Sequence, residues 1–244
     1  MSPIYREIVP CASAAALVVA AGYHTMGPRS QLYGRTFTAG PRSRRLALTF
    51  DDGPCDPFTP QLLDILAKHN VRATFFMIGA NVARRPDIAR AVAAAGHAIG
   101  NHTQNHPLLI FKSRTAFRSE VEQCHSALRD AIGDSARLFR PPYGGRRPAI
   151  LRETRALGYE PVMWSVAGYD WQTQSPTVIA GNIRSRVRGG EVVLLHDGSP
   201  LSSRGLSGKD RSGTVAATAQ LIVDYQSEGF EFVTIPEMMN SSAS

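Results

Sequence analysis

The chain has 244 residues, of which 43% are hydrophobic and 19% are charged, and its mean hydropathy is −0.15. These values exclude a disordered chain and a polytopic membrane protein, and a chain of this length can fold without disulfides or a structural metal. Basic residues outnumber acidic ones by 27 to 20, and the net charge of +7 suits an acidic polymer or an anionic lipid as partner. A nucleic-acid partner, suggested by charge alone, is disfavoured because the sequence has no basic stripe interleaved with aromatic residues and no zinc-finger spacing.

Residues 1–43 are expected to precede the folded domain. Within them, residues 8–22 form an apolar, alanine-rich run, which is short for a bilayer span of about 20 residues but suits the core of a signal peptide. We therefore expect a protein that is exported or membrane-anchored at the cell envelope, with this run either cleaved before Tyr23 or retained as an anchor. A buried N-terminal helix is the alternative. Residues 23–43 are predicted to be a polar connector.

The chain has three cysteines, Cys11, Cys55 and Cys124. Their odd number and wide spacing support neither a disulfide framework nor a CxxC metal or redox site. We expect all of them to be structural or incidental, although one pair could form if the domain is exported.

From Arg45 onward, short apolar strands alternate with amphipathic helices. Strands are predicted at Leu46–Phe50, Ala73–Ile78, His97–Asn101, Arg137–Arg140, Pro161–Val166, Glu191–Leu195 and Phe230–Ile235. Helices are predicted at Phe58–Asn70, Ala83–Ala95, Arg114–Ile132, Pro148–Leu157, Pro176–Val187 and Gly213–Ser227. This alternation indicates an α/β fold with parallel strands and crossover helices, in which functional loops follow the C-terminal ends of the strands.

Candidate metal ligands follow two of the predicted strands. Asp51 and Asp52 end the first strand, and because strand side chains alternate between faces, one can bind a metal while the other acts as a base. His102 and His106 follow the third strand, and a spacing of four residues on one helical turn lets two histidines chelate one cation. With Asp52 as third ligand, this set is typical of a catalytic metal site with open positions.

Three other strand ends carry groups that can act in catalysis: Arg140 after the fourth strand, Asp170-Trp171 after the fifth and His196 after the sixth. Arg140 can hold a carboxylate through its fork of donors, and the stiff double proline after it can fix the backbone N–H of Tyr143 as an oxyanion donor. His196, paired with an aspartate, is a candidate general acid because a nearby carboxylate raises the pKa of an imidazole. Together these groups indicate metal-assisted hydrolysis.

The blocks TFDDGP at 49–54, HTQNH at 102–106, RPPYG at 140–144, DW at 170–171 and LLH at 194–196 resemble, in this order, the polysaccharide deacetylase family. The resemblance to this family, which is also called the NodB-homology domain or carbohydrate esterase family 4, covers about residues 44–238. It implies a distorted (β/α) barrel of about seven parallel strands in residues 44–240. It also implies one divalent metal, usually zinc with cobalt or another ion sometimes substituting, and hydrolytic removal of acetyl groups from a glycan.

The resemblance assigns a role to each matching residue. It implies that Asp51 is the catalytic base and that Arg140 orients it, while Asp52, His102 and His106 bind the metal. It implies further that the Tyr143 N–H stabilises the oxyanion and that Asp170 tunes His196, the general acid. Trp171 and Leu194 would line the pocket for the acetyl methyl group.

Two positions depart from the family pattern. Ala167 stands where the family often has another aspartate, three residues before the Asp-Trp pair. The residues that support the side of the site around His196 are therefore expected to differ from those of the family. Cys55 follows DDGP where small or polar residues are more usual, and a free thiol there could approach the metal.

The expected activity is N-deacetylation of N-acetylglucosamine units in peptidoglycan or a chitin-like polymer by a monomeric, metal-dependent hydrolase. An O-acetyl esterase acting on acetylated xylan is the alternative on the same fold, since both reactions pass through a tetrahedral oxyanion. A non-catalytic glycan-binding domain is the alternative from another class, and it would be indicated by loss of Asp51 or of a metal ligand.

Overall fold

The computed structural model describes residues 19–135, 137–200 and 209–241. At its centre lies a curled parallel sheet with the strand order β5-β4-β3-β2-β1-β7-β6, and β8 pairs with the first residues of β1. The strands are β1 (Arg45–Asp51), β2 (Thr74–Met77), β3 (Ala98–Asn101), β4 (Leu138–Phe139), β5 (Glu160–Pro161), β6 (Val166–Ala167), β7 (Val192–His196) and β8 (Glu231–Phe232). The parallel α/β barrel predicted from the sequence is thereby confirmed.

Helices connect the strands and cover the outside of the sheet. They are α1 (Phe58–Lys68), α2 (Gly79–Arg84), α3 (Pro86–Ala94), α4 (Arg114–Ile132), α5 (Pro148–Ala156), α6 (Pro176–Arg184), α7 (Ser212–Ser227) and α8 (Ile235–Asn240). The α4 helix has the predicted bounds because the Ser113 side chain accepts a hydrogen bond from the Ala116 N–H at its start and Gly133, at φ 82°, ends it. Residues 19–26 are also helical.

Side-chain alternation along β1 separates two hydrophobic cores. Leu46, Leu48 and Phe50 belong to the larger core under the helices, whereas Ala47 belongs to the smaller core inside the curled sheet. Thr49 and Asp51 share the inner face with Ala47 because residues two apart on a strand point the same way. The polar end of β1 is therefore directed to the mouth of the barrel.

The predicted strand 161–166 is split into β5 and β6. Its start pairs with β4 at one edge of the sheet, and its end pairs with β7 at the other edge. One short extended stretch thus joins the two edges and closes the curl. Phe37 pairs with Val162 inside this stretch, and Ala39 pairs with Glu191, so the chain contacts the sheet before the predicted domain boundary at residue 44.

Most of the apolar run at residues 8–22 lies outside the described residues, as do Cys11 and residues 201–208. Within the described ranges, no helix combines the length and the apolar character needed to cross a membrane.

Candidate active site

The candidate site lies at the C-terminal ends of the strands. Asp51 in β1 and His196 in β7 are register partners on neighbouring strands, as are Thr49 and Leu194. Register partners in a parallel sheet present their side chains on the same face, about 4.8 Å apart. The inner face of these two strands therefore places the proposed base and the proposed acid side by side.

Asp51 is held by a buried arginine from the end of β4. Nη1 of Arg140 donates to Asp51 Oδ1 at 2.7 Å and to Thr49 Oγ1 at 2.8 Å. Nη2 of the same guanidinium donates to the carbonyl of Met163 at 3.0 Å, and the Phe76 ring lies 4.0 Å beneath it. A fully buried guanidinium with these contacts has little freedom, so it fixes the direction of the Asp51 carboxylate.

The other carboxylate oxygen of Asp51, Oδ2, lies 3.8 Å from Nε2 of His102. Asp51 is thus next to the three residues that the sequence predicts as metal ligands. Asp52 Oδ1 lies 3.5 Å from His102 Nε2 and 3.2 Å from His106 Nε2. These ligand atoms, all from buried residues, lie within 4.8 Å of one another.

The group formed by Asp52, His102 and His106 fits a divalent metal. Ligand atoms about 2.0–2.1 Å from a tetrahedral ion are separated by roughly 3.3 Å, close to the two Asp52–histidine distances. Asp52 Oδ1 is buried without a hydrogen-bond donor in the described residues. A buried carboxylate oxygen without a partner is costly unless a cation binds it, and two imidazoles with one carboxylate suit zinc and similar transition metals.

The backbone of this group differs from the sequence expectation. The His102–His106 segment is an irregular loop and not a helical turn, and Thr103 and His106 have φ of 67° and 58°. The His106 N–H donates to Thr103 Oγ1, and the Thr103 N–H donates to Asn101 Oδ1. These local hydrogen bonds stabilise the left-handed backbone conformation of Thr103 and His106. The centroids of the His102 and His106 rings lie 4.9 Å apart in this loop.

The protonation states of the group favour metal binding. His102 Nδ1 lies 2.7 Å from the carbonyl of Arg140; this contact requires a proton on Nδ1 and leaves the Nε2 lone pair free. Burial, with a smaller effect of His102, lowers the pKa of His106 to about 4, so this ring is neutral at pH 7. Burial alone would raise the pKa of Asp52, but the neighbouring histidines His102, His106 and His196 hold it well below its usual range.

His196, at the end of β7, pairs with Asp170. Nδ1 of His196 donates to Asp170 Oδ1 at 2.8 Å, while the His196 backbone N–H and the Thr214 hydroxyl donate to Oδ2, each at 2.8 Å. Burial alone would lower the pKa of His196, but Asp170, with help from Asp52 and Asp51, raises it above its usual range. His196 is therefore suited to carry a proton near neutral pH.

The remaining predicted residues lie around the mouth. Tyr143 is 57% exposed and its ring is 4.5 Å from that of His106, and Trp171 is 38% exposed with its ring 5.4 Å from that of His196. Leu194 is buried in β7 on the same sheet face as His196. Both exposed rings thus lie beside site histidines.

Sequence reasoning missed several supporting residues. Thr49 could have been found from strand alternation, because it lies two residues before Asp51, but nothing local indicates that Thr214 contacts Asp170. Nor does the sequence explain Gly53: a Cβ there would lie 2.2 Å from Oδ2 of the buried Asp197, so only glycine fits.

Neither of the two departures from the family pattern belongs to the metal group. Ala167 is buried in β6 and pairs with Leu194. The Cys55 thiol contacts the carbonyl of Asp56 at 3.6 Å, and burial raises its pKa. A protonated thiol is a poor metal ligand, and Cys55 is not part of the metal-binding group found in the described ranges.

Comparisons with known proteins agree with this geometry. The family model described as polysaccharide deacetylase matches residues 38–162. A peptidoglycan-N-acetylglucosamine deacetylase of Bacillus cereus is 36% identical over 188 residues, which are 76% of this chain and 84% of that protein. A chitooligosaccharide deacetylase of Sinorhizobium fredii is 38% identical over 188 residues, covering 75% of this chain and 86% of that protein.

Solved structures show the same fold. The Bc1960 peptidoglycan N-acetylglucosamine deacetylase superposes with a TM-score of 0.77 at 35% identity, covering 83% of this chain and 92% of that one. A carbohydrate esterase family 4 pseudoenzyme from Bacillus anthracis superposes with a TM-score of 0.74 at 25% identity, covering 83% and 67% of the two chains. Activity in this family must therefore be argued from the site. The resemblance stated from the sequence motifs is confirmed, and the chain belongs to the polysaccharide deacetylase family.

Proposed function

We propose that this protein is a metal-dependent deacetylase that removes the N-acetyl group from N-acetylglucosamine units of peptidoglycan or a chitin-like glycan. The observation that carries the proposal is the arrangement of three groups in one site. The buried Asp52–His102–His106 group lies next to Asp51, and Asp51 is the register partner of His196. The named relatives act on these glycans, which favours the amide over the ester substrate.

A divalent cation, for which zinc suits the ligands best, would be held by Asp52, His102 and His106. When bound, it would supply Lewis-acid polarisation of the acetyl carbonyl and activation of water. The protein groups around it perform the proton transfers.

Asp51 is proposed as the general base. Arg140 occupies its Oδ1, so Oδ2, which is directed toward the metal group, is available to take a proton from the attacking water. The water oxygen then bonds to the acetyl carbon. The resulting oxyanion would accept a hydrogen bond from the backbone N–H of Tyr143.

His196 is proposed as the general acid. Its proton passes to the amide nitrogen as the carbon–nitrogen bond breaks, so that acetate and a free amine leave. Asp170 holds the ring through Nδ1, which leaves Nε2 as the donating atom. The Trp171 ring beside His196 and the buried Leu194 would pack against the acetyl methyl group.

Acetate release tests this proposal. We would assay an N-acetylglucosamine oligomer, peptidoglycan and acetylated xylan with protein that is metal-stripped and then resupplied with zinc. Release from the first two that requires zinc is the expected result. Release from xylan alone would show an O-acetyl esterase. Protein that binds zinc and the glycan but releases no acetate from any substrate would indicate a non-catalytic glycan-binding domain.

Asp170→Asn is expected to move the alkaline limb of the pH profile of kcat/KM to lower pH by roughly 1–3 pH units. An opposite charge at contact distance usually shifts the pKa of a group by about this much. His196 must be protonated to act, and its raised pKa keeps it so at higher pH. Without the Asp170 charge the pKa falls, so the protonated form and the rate are lost earlier as pH rises. Asp210→Asn, an exposed site before α7, is the control. An unchanged alkaline limb would remove Asp170 from this role.

We further propose that residues 44–240 form the catalytic domain of a monomeric, exported or membrane-anchored protein. The apolar run at residues 8–22 supports export. N-terminal sequencing of the protein from membrane and secreted fractions would show whether this run is cleaved.

A further inference from the structure

Residues 23–30, which we call the N-terminal arm, lie beside the turn that carries Tyr143. The backbone N–H of Arg146 donates to the carbonyl of Thr25 at 3.0 Å. Its Nη2 donates to the carbonyls of Gly27 and Ser30, both at 2.7 Å, and its Nη1 donates to the carbonyl of Gly144 at 3.1 Å. A single side chain therefore joins the arm to the turn.

Arg146 is only 1% exposed. Its hydrogen-bond partners in the described part of the chain are carbonyl oxygens and not carboxylates. Burying a cation is costly unless hydrogen bonds compensate for it; here Nη1 and Nη2 are both bonded, whereas Nε has no partner in the described residues. Each of these carbonyls would lose a donor if the side chain were removed. The arm is thus attached by a specific contact and not by loose surface packing.

The Tyr143 turn depends on its surroundings. Tyr143 has φ of 58°, a left-handed conformation that a residue with a side chain keeps only when its neighbours hold it there. Gly144 follows with φ of 69°, and a Cβ on it would lie 2.9 Å from Trp164 and 3.3 Å from the carbonyl of Met26. Gly144 is therefore enclosed between the barrel wall and the arm.

The arm also contacts the stretch that joins β5 and β6. Nη2 of Arg29 donates to the carbonyl of Ser165 at 2.9 Å, and within the arm His24 Nδ1 lies 2.7 Å from Ser30 Oγ. The whole arm precedes residues 38–162, which the family model matches. The arm nevertheless reaches the active-site loop.

We propose that the N-terminal arm is a positioning element of the active site, which Arg146 attaches to the Tyr143 turn so that the Tyr143 N–H is directed at the oxyanion. This inference rests on the proposed function. It extends the catalytic unit upstream of residue 44 to Tyr23, so a chain beginning at residue 44 would lack part of its active-site support.

Arg146→Met tests the contact because it keeps the apolar stem and removes every side-chain donor. We expect kcat on an N-acetylglucosamine oligomer to fall about 10–100-fold, somewhat less than the loss of a complete oxyanion donor. KM and zinc content should stay unchanged, and Arg146→Lys should recover part of kcat. Arg147→Met is the matched control, because Arg147 donates to the carbonyl of Lys112 and not to the arm.

Trypsin cleavage gives a second measurement that does not depend on activity. In Arg146→Met the released arm should be cut after Arg29 while the rest of the chain stays intact, whereas Arg147→Met should resist like the wild type. If Arg146→Met fails to fold, chains beginning at residues 23 and 31 are compared, and only the first should keep full kcat.

Equal kcat for Arg146→Met and Arg147→Met in an active enzyme would overturn this inference alone. So would a chain beginning at residue 31 with full kcat. A wild-type chain that binds zinc but releases no acetate would instead overturn the proposed function.

Discussion

Asp51→Asn is expected to lower kcat by about 10²–10⁴-fold, the usual contribution of a general base. Asparagine keeps an oxygen that can accept the Arg140 hydrogen bond, so the geometry around Thr49 should persist. Its amide cannot take a proton from water. The change lies outside the three-residue metal group, so zinc content should stay at the wild-type level.

The measurement is kcat for acetate release together with zinc content by elemental analysis. Asp56→Asn is a suitable control because Asp56 is in the same loop but is exposed and pairs with Arg85. Asp51→Asn with wild-type kcat would show that another group accepts the proton from water.

His102→Ala is expected to abolish activity at limiting zinc because it removes one of the three proposed ligands. Loss of a residue that hydrogen-bonds to a metal ligand lowers metal affinity by roughly 10–100-fold. Loss of a ligand itself should lower zinc affinity by more than that. The substitution also removes the bond from Nδ1 to the carbonyl of Arg140, so the loop at the end of β4 loses a contact. A large excess of zinc should restore part of the rate.

Zinc affinity is measured by competition with a chelator, and kcat is measured across a zinc titration. His125→Ala serves as control, since His125 lies on α4 outside the metal group. Wild-type zinc affinity in His102→Ala would exclude this residue from the ligand set, whatever the effect on the rate.

Local pattern was sufficient to locate the site at the strand ends. The alternation of Leu48, Thr49, Phe50 and Asp51 shows which side chains of β1 face inward, because a strand repeats every two residues. The spacing of helix starts and stops also predicted the bounds of α4. Such predictions succeed where the physical cause lies within a few residues of the chain.

Local pattern failed where long-range pairing decides the outcome. The apolar run 161–166 is typical of one strand, yet its two ends pair with β4 and β7 at opposite edges of the sheet. The HxxxH spacing suggested a helical turn, but hydrogen bonds accepted by the side chains of Asn101 and Thr103 stabilise an irregular loop instead. In both cases the local sequence is compatible with two conformations. Contacts that form only in the folded chain stabilise one of them.

Buried polar contacts could not be predicted from the local sequence either. Arg146 is one of many arginines in a sequence where only three of the 27 basic residues are lysines, and nothing in the local sequence distinguishes it from the adjacent Arg147. Only the folded chain shows that it is buried and bonded to carbonyls more than one hundred residues away. The same holds for Thr214, which lies 44 positions from Asp170 along the chain.

By itself, the sequence determined which chemical groups stand at the ends of the parallel strands and, through its motifs, the family to which the chain belongs. The tertiary structure alone decided which of these groups are desolvated, which oxygen of Asp51 is left free, and that the N-terminal arm reaches the Tyr143 turn. The physical reason is that side-chain identity and strand alternation are local properties. Burial and hydrogen-bond direction, which set pKa values and orientation, depend on residues brought together from distant parts of the chain.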